Sequence, residues 1–318
     1  MGHDEWVTST QLAARATLAA FLGPQTEPVP LDSEVVESVE VDGYVREKVL
    51  YSVAPGVRVS AYVCRPPNAA RAAPGVFCHH QHAGDFALGK SESVGLGGDA
   101  SLAYAAELAT EGFVTIAPDA IGFEERNWSR GGAGDVTWFE LSRRLLKGRT
   151  LLADCLREVT VGLNYLAALP EVDPTRLGFI GHSYGGRIAL FAPAYDHRIR
   201  ASVSNCQCIP YRLTFSEDVG CQAEFVLPGF AERHDVEDLF EAYSGQTKLL
   251  LSVGTADRFS RGYNEVFERA RVVLSNRASL RVYDTGHAFT SEMRRAAYDF
   301  LHHGLASARP GQRSTLDR

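Results

Sequence analysis

Apolar and polar residues alternate along the chain from residue 35 to residue 64. Valines stand at 35, 36, 39 and 41, then at 45, 49 and 53, and then at 57, 59 and 63, and Asp42-Gly43 and Pro55-Gly56 separate the three stretches. A period of two is typical of strands that bury one face, and Asp-Gly or Pro-Gly pairs favour turns. The pattern therefore predicts antiparallel strands at one edge of a sheet.

From residue 75 onward, short and continuously apolar runs replace the alternation. Six of them are expected to be strands covered on both faces: Gly75–Cys78, Val114–Ala117, Leu177–Ile180, Ala201–Ser204, Lys248–Val253 and Leu280–Tyr283. Stretches with helical periodicity lie between them: 100–111, 148–169, 263–275 and 291–305. Strands that alternate with helices predict an α/β fold, with a mostly parallel sheet between helical layers.

Two longer stretches, 122–147 and 206–245, interrupt this alternation, and both are rich in aromatic residues. Each follows the carboxyl end of a predicted strand, where ligands bind in open α/β sheets. We expect them to form pocket walls or a small lid. The alternative is that they are surface loops with buried aromatic anchors.

The ends of the chain differ in character from its middle. Residues 1–22 predict an amphipathic helix that ends at Gly23-Pro24. The expected organisation is therefore a helix and linker over 1–30, one α/β domain over 31–305, and a polar, disordered tail over 306–318.

Composition narrows the classes of function. The formal charge of −7 is spread along all 318 residues, so neither nucleic acid nor a membrane is expected as a partner. The N-terminal stretch lacks the features of a secretion signal, and the six cysteines are irregularly spaced. We therefore expect a cytoplasmic protein with mostly buried, free thiols.

The strongest chemical signal is Gly-His-Ser-Tyr-Gly at 181–185, which directly follows an apolar strand and precedes a helical pattern. A sharp strand-to-helix turn strains the backbone at its apex and lifts one side chain clear of the sheet. This predicts Ser183 as a nucleophile and the N–H of Tyr184 as an oxyanion donor. The alternative is a glycine-rich turn without chemistry.

A serine nucleophile needs a base and an acid that orients the base. Asp257 and His287 each follow a later predicted strand, so both are expected at the same sheet edge as Ser183. The alternatives are a helix-capping role for Asp257 and a solvated loop position for His287. Asp284 is a rival acid, but it lies only three residues before His287.

A second oxyanion donor is expected after the first predicted buried strand, where the sequence reads His79-His80-Gln81-His82. The N–H of Gln81 and that of His82 are both candidates. A metal site is disfavoured, because neighbouring residues of an extended segment point to opposite faces and no acidic or cysteine ligands accompany the histidines. We expect one histidine to pack beneath the loop and another to line the pocket. No metal or cofactor is expected.

Together these residues resemble the α/β-hydrolase superfamily, in its branch of dienelactone hydrolases and acetyl xylan esterases, over about residues 44–305. The resemblance rests on four motifs: Gly-His-Ser-Tyr-Gly-Gly at 181–186, Gly-Thr-Ala-Asp at 254–257, Gly-His at 286–287 and Ala-Pro-Asp-Ala-Ile-Gly-Phe-Glu-Glu-Arg at 117–126. It implies a triad of Ser183, Asp257 and His287. Two departures stand out: the oxyanion loop lacks the usual His-Gly-x-Gly, and dienelactone hydrolases proper use a cysteine nucleophile, so their substrate does not carry over.

The sequence thus predicts a serine hydrolase that cleaves a small or medium-sized carboxylic ester or lactone through an acyl-enzyme. The same triad also serves peptidases, thioesterases, carbon–carbon bond hydrolases and acyltransferases, and a non-catalytic binding protein is a further alternative. The expected partner is the small-molecule substrate, with a homodimer as one option. Five residues are candidate substrate contacts, although each also has a packing explanation: Phe86, Arg126, Trp128, Tyr211 and Phe259.

Overall fold

The computed structural model describes residues 8–67, 72–216 and 218–307. Nine strands form one sheet: β1 (Glu34–Val41), β2 (Tyr44–Ala54), β3 (Val57–Arg65), β4 (Ala73–His79), β5 (Val114–Pro118), β6 (Val172–His182), β7 (Ile199–Asn205), β8 (Lys248–Gly254) and β9 (Ala278–Tyr283). Their spatial order is β1-β2-β3-β5-β4-β6-β7-β8-β9. The predicted tail lies outside the described residues from 308 onward.

The sheet has an antiparallel edge and a parallel body. Strands β1, β2 and β3 pair antiparallel, and β3 also pairs antiparallel with β5. From β5 through β4 to β9, all neighbours are parallel. The predicted α/β fold is therefore confirmed, with its antiparallel edge strands and its mostly parallel centre.

Nine α-helices accompany the sheet in the described part of the chain: α1 (Ser9–Leu22), α2 (Lys90–Ser93), α3 (Tyr104–Thr110), α4 (Thr137–Leu145), α5 (Leu151–Ala168), α6 (Tyr184–Tyr195), α7 (Tyr211–Thr214), α8 (Tyr263–Leu274) and α9 (Ser291–Gly304). Helix α5 begins later than its periodicity predicts, because the Thr150 side chain caps it by accepting the N–H of Ala153 at 3.3 Å. None of the helices in these described ranges has the length and apolarity to cross a membrane.

The sheet separates two hydrophobic cores. In β4, Phe77 belongs to the core beneath α5 and α6, whereas Val76 and Cys78 belong to the core beneath α3 and α9. Strands β6 and β8 divide their residues in the same way, because successive side chains of a strand point to opposite faces. Burial on both faces explains why these strands appear in the sequence as continuous apolar runs.

The stretch 206–245 forms a compact insert after β7. It contains α7 and three short 3₁₀ helices, Ala223–Phe225, Phe230–Glu232 and Val236–Ala242. The insert is tied to α1 by the side chains of Gln11 and Arg15, which donate to the carbonyls of Tyr243 and Ala242 at 2.7 and 2.9 Å. The insert is therefore anchored to the N-terminal helix.

The six cysteines are all free thiols, and five of them are buried, as the sequence predicts. Burial raises the pKa of the thiols of Cys64, Cys155, Cys206 and Cys208 to about 12. These cysteines are therefore packing residues of the two cores.

Candidate active site

Ser183 occupies a strained turn between β6 and α6. Its backbone has φ of 56° and ψ of −116°, a region that side-chain-bearing residues rarely adopt. Its N–H donates to the carbonyl of Asn205 at 2.9 Å, and its own carbonyl accepts the N–H of Arg187 at 3.0 Å. Such strain costs about 1–3 kcal/mol and persists only where surrounding contacts hold it.

Three glycines make this turn sterically possible. A Cβ on Gly181 would lie 2.2 Å from the backbone carbon of Gly185, and one on Gly185 would lie 2.1 Å from the carbonyl oxygen of His79. A Cβ on Gly186 would lie 2.4 Å from the carbonyl oxygen of Asn205. The turn is therefore packed backbone to backbone against the ends of β4 and β7.

Asp257 follows β8 and has two functions at once. Its carboxylate accepts the Phe259 N–H at 3.1 Å and the Ser260 hydroxyl at 2.6 Å, so it caps the short helix Arg258–Ser260. It also accepts a hydrogen bond from Nδ1 of His287 at 2.9 Å. Burial by itself raises the pKa of Asp257, but the hydrogen bonds from His287 and Ser260 outweigh it and hold that pKa below its usual range.

The turn that carries His287 is fitted to the end of β8. The N–H of Ala256 donates to the carbonyl of Thr285 at 3.0 Å, and a Cβ on Gly254 would lie 2.5 Å from that same oxygen. This close backbone contact brings Asp257 and His287 together. The rival acid Asp284 instead accepts from the hydroxyl of Thr255 at 3.3 Å.

Two further residues support His287, and the sequence analysis missed both. The buried ring of His182 lies 4.8 Å from the His287 ring. Asn205 donates to Nδ1 of His182 at 2.8 Å and to the carbonyl of Ala288 at 2.9 Å. Burial, and then the proximity of His287, lower the pKa of His182 to about 3, so its ring is neutral. The position of Asn205 at the end of a strand beside β6 was the available signal.

The loop after β4 carries the candidate second oxyanion donor. Nδ1 of His79 donates to the His80 carbonyl at 3.0 Å, and Nδ1 of His80 donates to the Gln81 carbonyl at 2.7 Å. In a trans peptide the N–H points opposite to the carbonyl, so the N–H groups of Gln81 and His82 point away from these rings. Both remain candidates.

The histidines of this loop have separate environments. His80 is buried, and its Nε2 accepts the Ala120 N–H at 3.1 Å. His82 is partly exposed, and its ring packs on Phe86 at 4.8 Å and on Phe123 at 5.2 Å. His80 is thus the histidine that packs beneath the loop, whereas the partly exposed His82 belongs to an aromatic cluster.

The five candidate substrate contacts lie in different surroundings. Phe259 packs on the His287 ring at 4.9 Å, and Phe86 packs on His82.

The other three candidates have partners elsewhere. Arg126 forms a two-pronged ion pair with Glu158 at 2.6 and 2.9 Å. Tyr211 is buried and donates to the Phe225 carbonyl, whereas Trp128 is exposed and packs on Phe139. Phe259 and Phe86 thus touch the candidate site residues, and the other three have structural partners.

A second polar cluster lies where the 117–126 motif leaves β5. Nζ of the buried Lys90 donates to Asp119 at 2.8 Å, to Glu124 at 2.6 Å and to Glu125 at 2.8 Å. These three carboxylates lie close enough together to hold a metal ion, but the ammonium group occupies the space between them. Burial opposes the charge of Lys90, but the carboxylates outweigh it and raise its pKa.

The geometry agrees with the comparisons with known proteins. The model of the dienelactone hydrolase family matches residues 90–308, which include Ser183, Asp257 and His287. The chain belongs to the dienelactone hydrolase family, within the α/β-hydrolase superfamily. The resemblance inferred from the sequence motifs is thereby confirmed.

Individual relatives share only a modest fraction of their sequence with this chain. The chain is similar to the YtaP protein of Bacillus subtilis (strain 168), described provisionally as a hydrolase, with 25% identity over 90% of this chain and 97% of that protein. Its fold is similar to that of a Bacteroides fragilis protein described provisionally as an acetyl xylan esterase (TM-score 0.72, 17% identity, 86% of this chain and 74% of that chain). It is also similar to a glucuronoyl esterase from Solibacter usitatus (TM-score 0.65, 14% identity, 93% and 92%).

Proposed function

We propose that this chain is a serine carboxylic ester hydrolase, with Ser183 as nucleophile, His287 as general base and Asp257 as the acid that orients it. The hydrogen bond of 2.9 Å between His287 and Asp257, beside a strained serine turn, is the observation that carries this proposal. Family membership and the esterases among its structural neighbours support the choice of an ester bond.

The reaction follows from the roles of these groups. Asp257 accepts from Nδ1 of His287, which leaves Nε2 as the ring nitrogen that takes the Ser183 proton as the oxygen attacks the ester carbonyl. The N–H of Tyr184, at the start of α6, and that of Gln81 or His82 would stabilise the oxyanion. Loss of the alcohol leaves an acyl-enzyme, which water hydrolyses with His287 again as base.

A neutral neighbour suits this role for His287. His182 touches its ring but carries no charge, so it does not repel the imidazolium that forms during proton transfer. The buried carboxylate of Asp257 instead stabilises that positive charge.

The test is labelling with a fluorophosphonate probe, followed by turnover of p-nitrophenyl esters of graded chain length and of an amide counterpart. We expect the probe to modify Ser183, and Ser183→Ala to lower ester turnover by about 10³-fold or more while the protein stays folded. An unlabelled Ser183, or a Ser183→Ala variant with near wild-type turnover, would contradict the proposal. Faster cleavage of the amide would favour a peptidase instead.

A further inference from the structure

Glu224 is a buried acid that has no hydrogen-bond partner among the described residues. It lies in the 3₁₀ helix Ala223–Phe225 of the insert, with none of its side chain exposed, and neither carboxylate oxygen is bonded. Burial raises its pKa to about 8. A buried and unpaired polar group destabilises the fold, so its presence calls for an explanation.

A hydrogen-bond donor of the oxyanion loop lies close to this carboxylate. Nδ1 of His82 accepts the Gly84 N–H at 3.1 Å, so the neutral ring carries its proton on Nε2. That Nε2 lies 4.0 Å from Oε1 of Glu224, which is too far for a direct hydrogen bond. One oxygen atom about 2.9 Å from both atoms would bridge them at an angle of about 90°.

Aromatic contacts connect this gap to Tyr184, the residue after the proposed catalytic serine. The ring of Phe225, next to Glu224, packs on the ring of Tyr184 at 5.5 Å, and Tyr184 directly follows Ser183. The His82 side chain keeps 15% of its surface exposed, whereas that of Glu224 keeps none, so His82 is the solvent-facing member of the pair. The rings of Phe86, Phe123 and Phe225 lie around this pair, so it is a polar site among aromatic side chains.

We propose that His82 and Glu224 together bind a hydroxyl group of the substrate, which accepts from Nε2 of His82 and donates to Glu224. The substrates would then be esters that carry a free hydroxyl close to the scissile bond. This inference rests on the proposed function. An ammonium group fits less well, because it donates only and would face the N–H of His82.

The test compares esters that differ only by a hydroxyl in place of a methyl group. The pairs are 2-hydroxyethyl acetate with propyl acetate, and methyl 3-hydroxybutyrate with methyl 3-methylbutyrate, with kcat/KM measured by acid release. We expect at least about a tenfold preference for the hydroxylated ester in one pair, because a site built for a hydroxyl rejects an analogue that lacks it. Competition of each ester with fluorophosphonate labelling gives the same ratio for slow substrates.

Substitutions then connect the preference to Glu224. Glu224→Met should bring the ratio close to one, mainly by lowering kcat/KM for the hydroxylated ester. Glu224→Gln, which keeps one acceptor oxygen, should retain part of the preference and serves if the methionine variant does not fold. Glu232→Gln, the same change at an exposed position of the insert, should leave the ratio unaltered.

The outcomes separate this inference from the proposed function. An unlabelled Ser183 would overturn both. A labelled Ser183 with a ratio near one in both pairs would overturn only the hydroxyl site. A preference that survives Glu224→Met would also overturn it. So would selection of acetylcholine over its isostere 3,3-dimethylbutyl acetate without any hydroxyl preference, since this would indicate a cation site.

Discussion

Oδ1 of Asp257 accepts hydrogen bonds from Nδ1 of His287 and from the backbone N–H of Phe259 at the same time, at 2.9 and 3.1 Å. The aspartate is thus held in place by its own helical turn, independently of the imidazole that it orients. Capping is compatible with the proposed catalytic role of Asp257, although the sequence analysis treated the two as alternatives.

Asp257→Asn should separate these two roles. Asparagine keeps an oxygen for the cap but removes the charge that stabilises the imidazolium, so kcat should fall by about 10³–10⁴-fold in a folded protein. Ester turnover and circular dichroism measure the two effects. Asp284→Asn is the matched control and should remain close to wild type, because Asp284 does not bond to His287. If Asp284→Asn were inactive and Asp257→Asn active, the assignment of Asp257 as the acid would be wrong.

Gly181→Ala should damage the fold itself. The added Cβ would meet the backbone of Gly185 at 2.2 Å, and backbone cannot rotate away as a side chain does. We expect a loss of about 3 kcal/mol or more in the free energy of unfolding, measured with urea. Gly286→Ala has nothing within 4 Å of the new Cβ and should change that free energy by about 0.5 kcal/mol or less. Equal losses in the two variants would refute the steric argument.

Stability should fall in acid because His182 is buried in its neutral form. Its pKa is lowered from 6.5 to about 3 by burial and then by His287, so below pH 6.5 the unfolded chain binds the proton more readily. The stabilisation is complete above pH 6.5 and is lost as the pH falls toward 3. Between pH 7 and about pH 4.5 we expect a loss of roughly 2–3 kcal/mol from this residue.

The measurement is urea unfolding at several pH values. His182→Asn keeps an acceptor for Asn205 without a titrating group, so its stability should depend less steeply on pH over this range. A variant with the same pH dependence as the wild type would show that His182 does not contribute to it.

Lys90→Met should destabilise the protein by removing the cation of its charge cluster. Removal of the ammonium leaves Asp119 buried beside Glu124 and Glu125 without their shared cation. Breaking a buried ion pair on one side costs about 3–5 kcal/mol, which unfolding by urea at neutral pH would show. Lys147→Met changes an exposed lysine and should cost much less. A loss below about 1 kcal/mol for Lys90→Met would mean that the cluster is not stabilising.

The sequence predicts the sheet well because burial on two faces leaves a local mark, a continuous apolar run. The approach of Asp257 to His287 is also predictable, since both follow strands whose carboxyl ends meet at one edge. Helix α4 was not predicted: its exposed Trp138 and Phe139 obscure the amphipathic pattern, and ion pairs from Glu140 to Arg143 and Arg144 support it instead.

Partners that are distant along the chain left no such mark. Lys90 meets Asp119 across 29 residues, and His82 faces Glu224 from a different element. A lysine or glutamate has the same appearance in a sequence whether it is solvated or buried. Only the folded structure shows which of these side chains are buried away from water.

The buried thiols determine how the protein responds to oxidants and alkylating agents. Attack on iodoacetamide or hydrogen peroxide requires a thiolate, and a thiol with a pKa of about 12 supplies almost none at neutral pH. Cys221, the one cysteine that is not fully buried, would be modified first. Since none of these sulfurs belongs to the proposed triad, ester hydrolysis should continue under oxidative conditions that would inactivate a relative with a cysteine nucleophile.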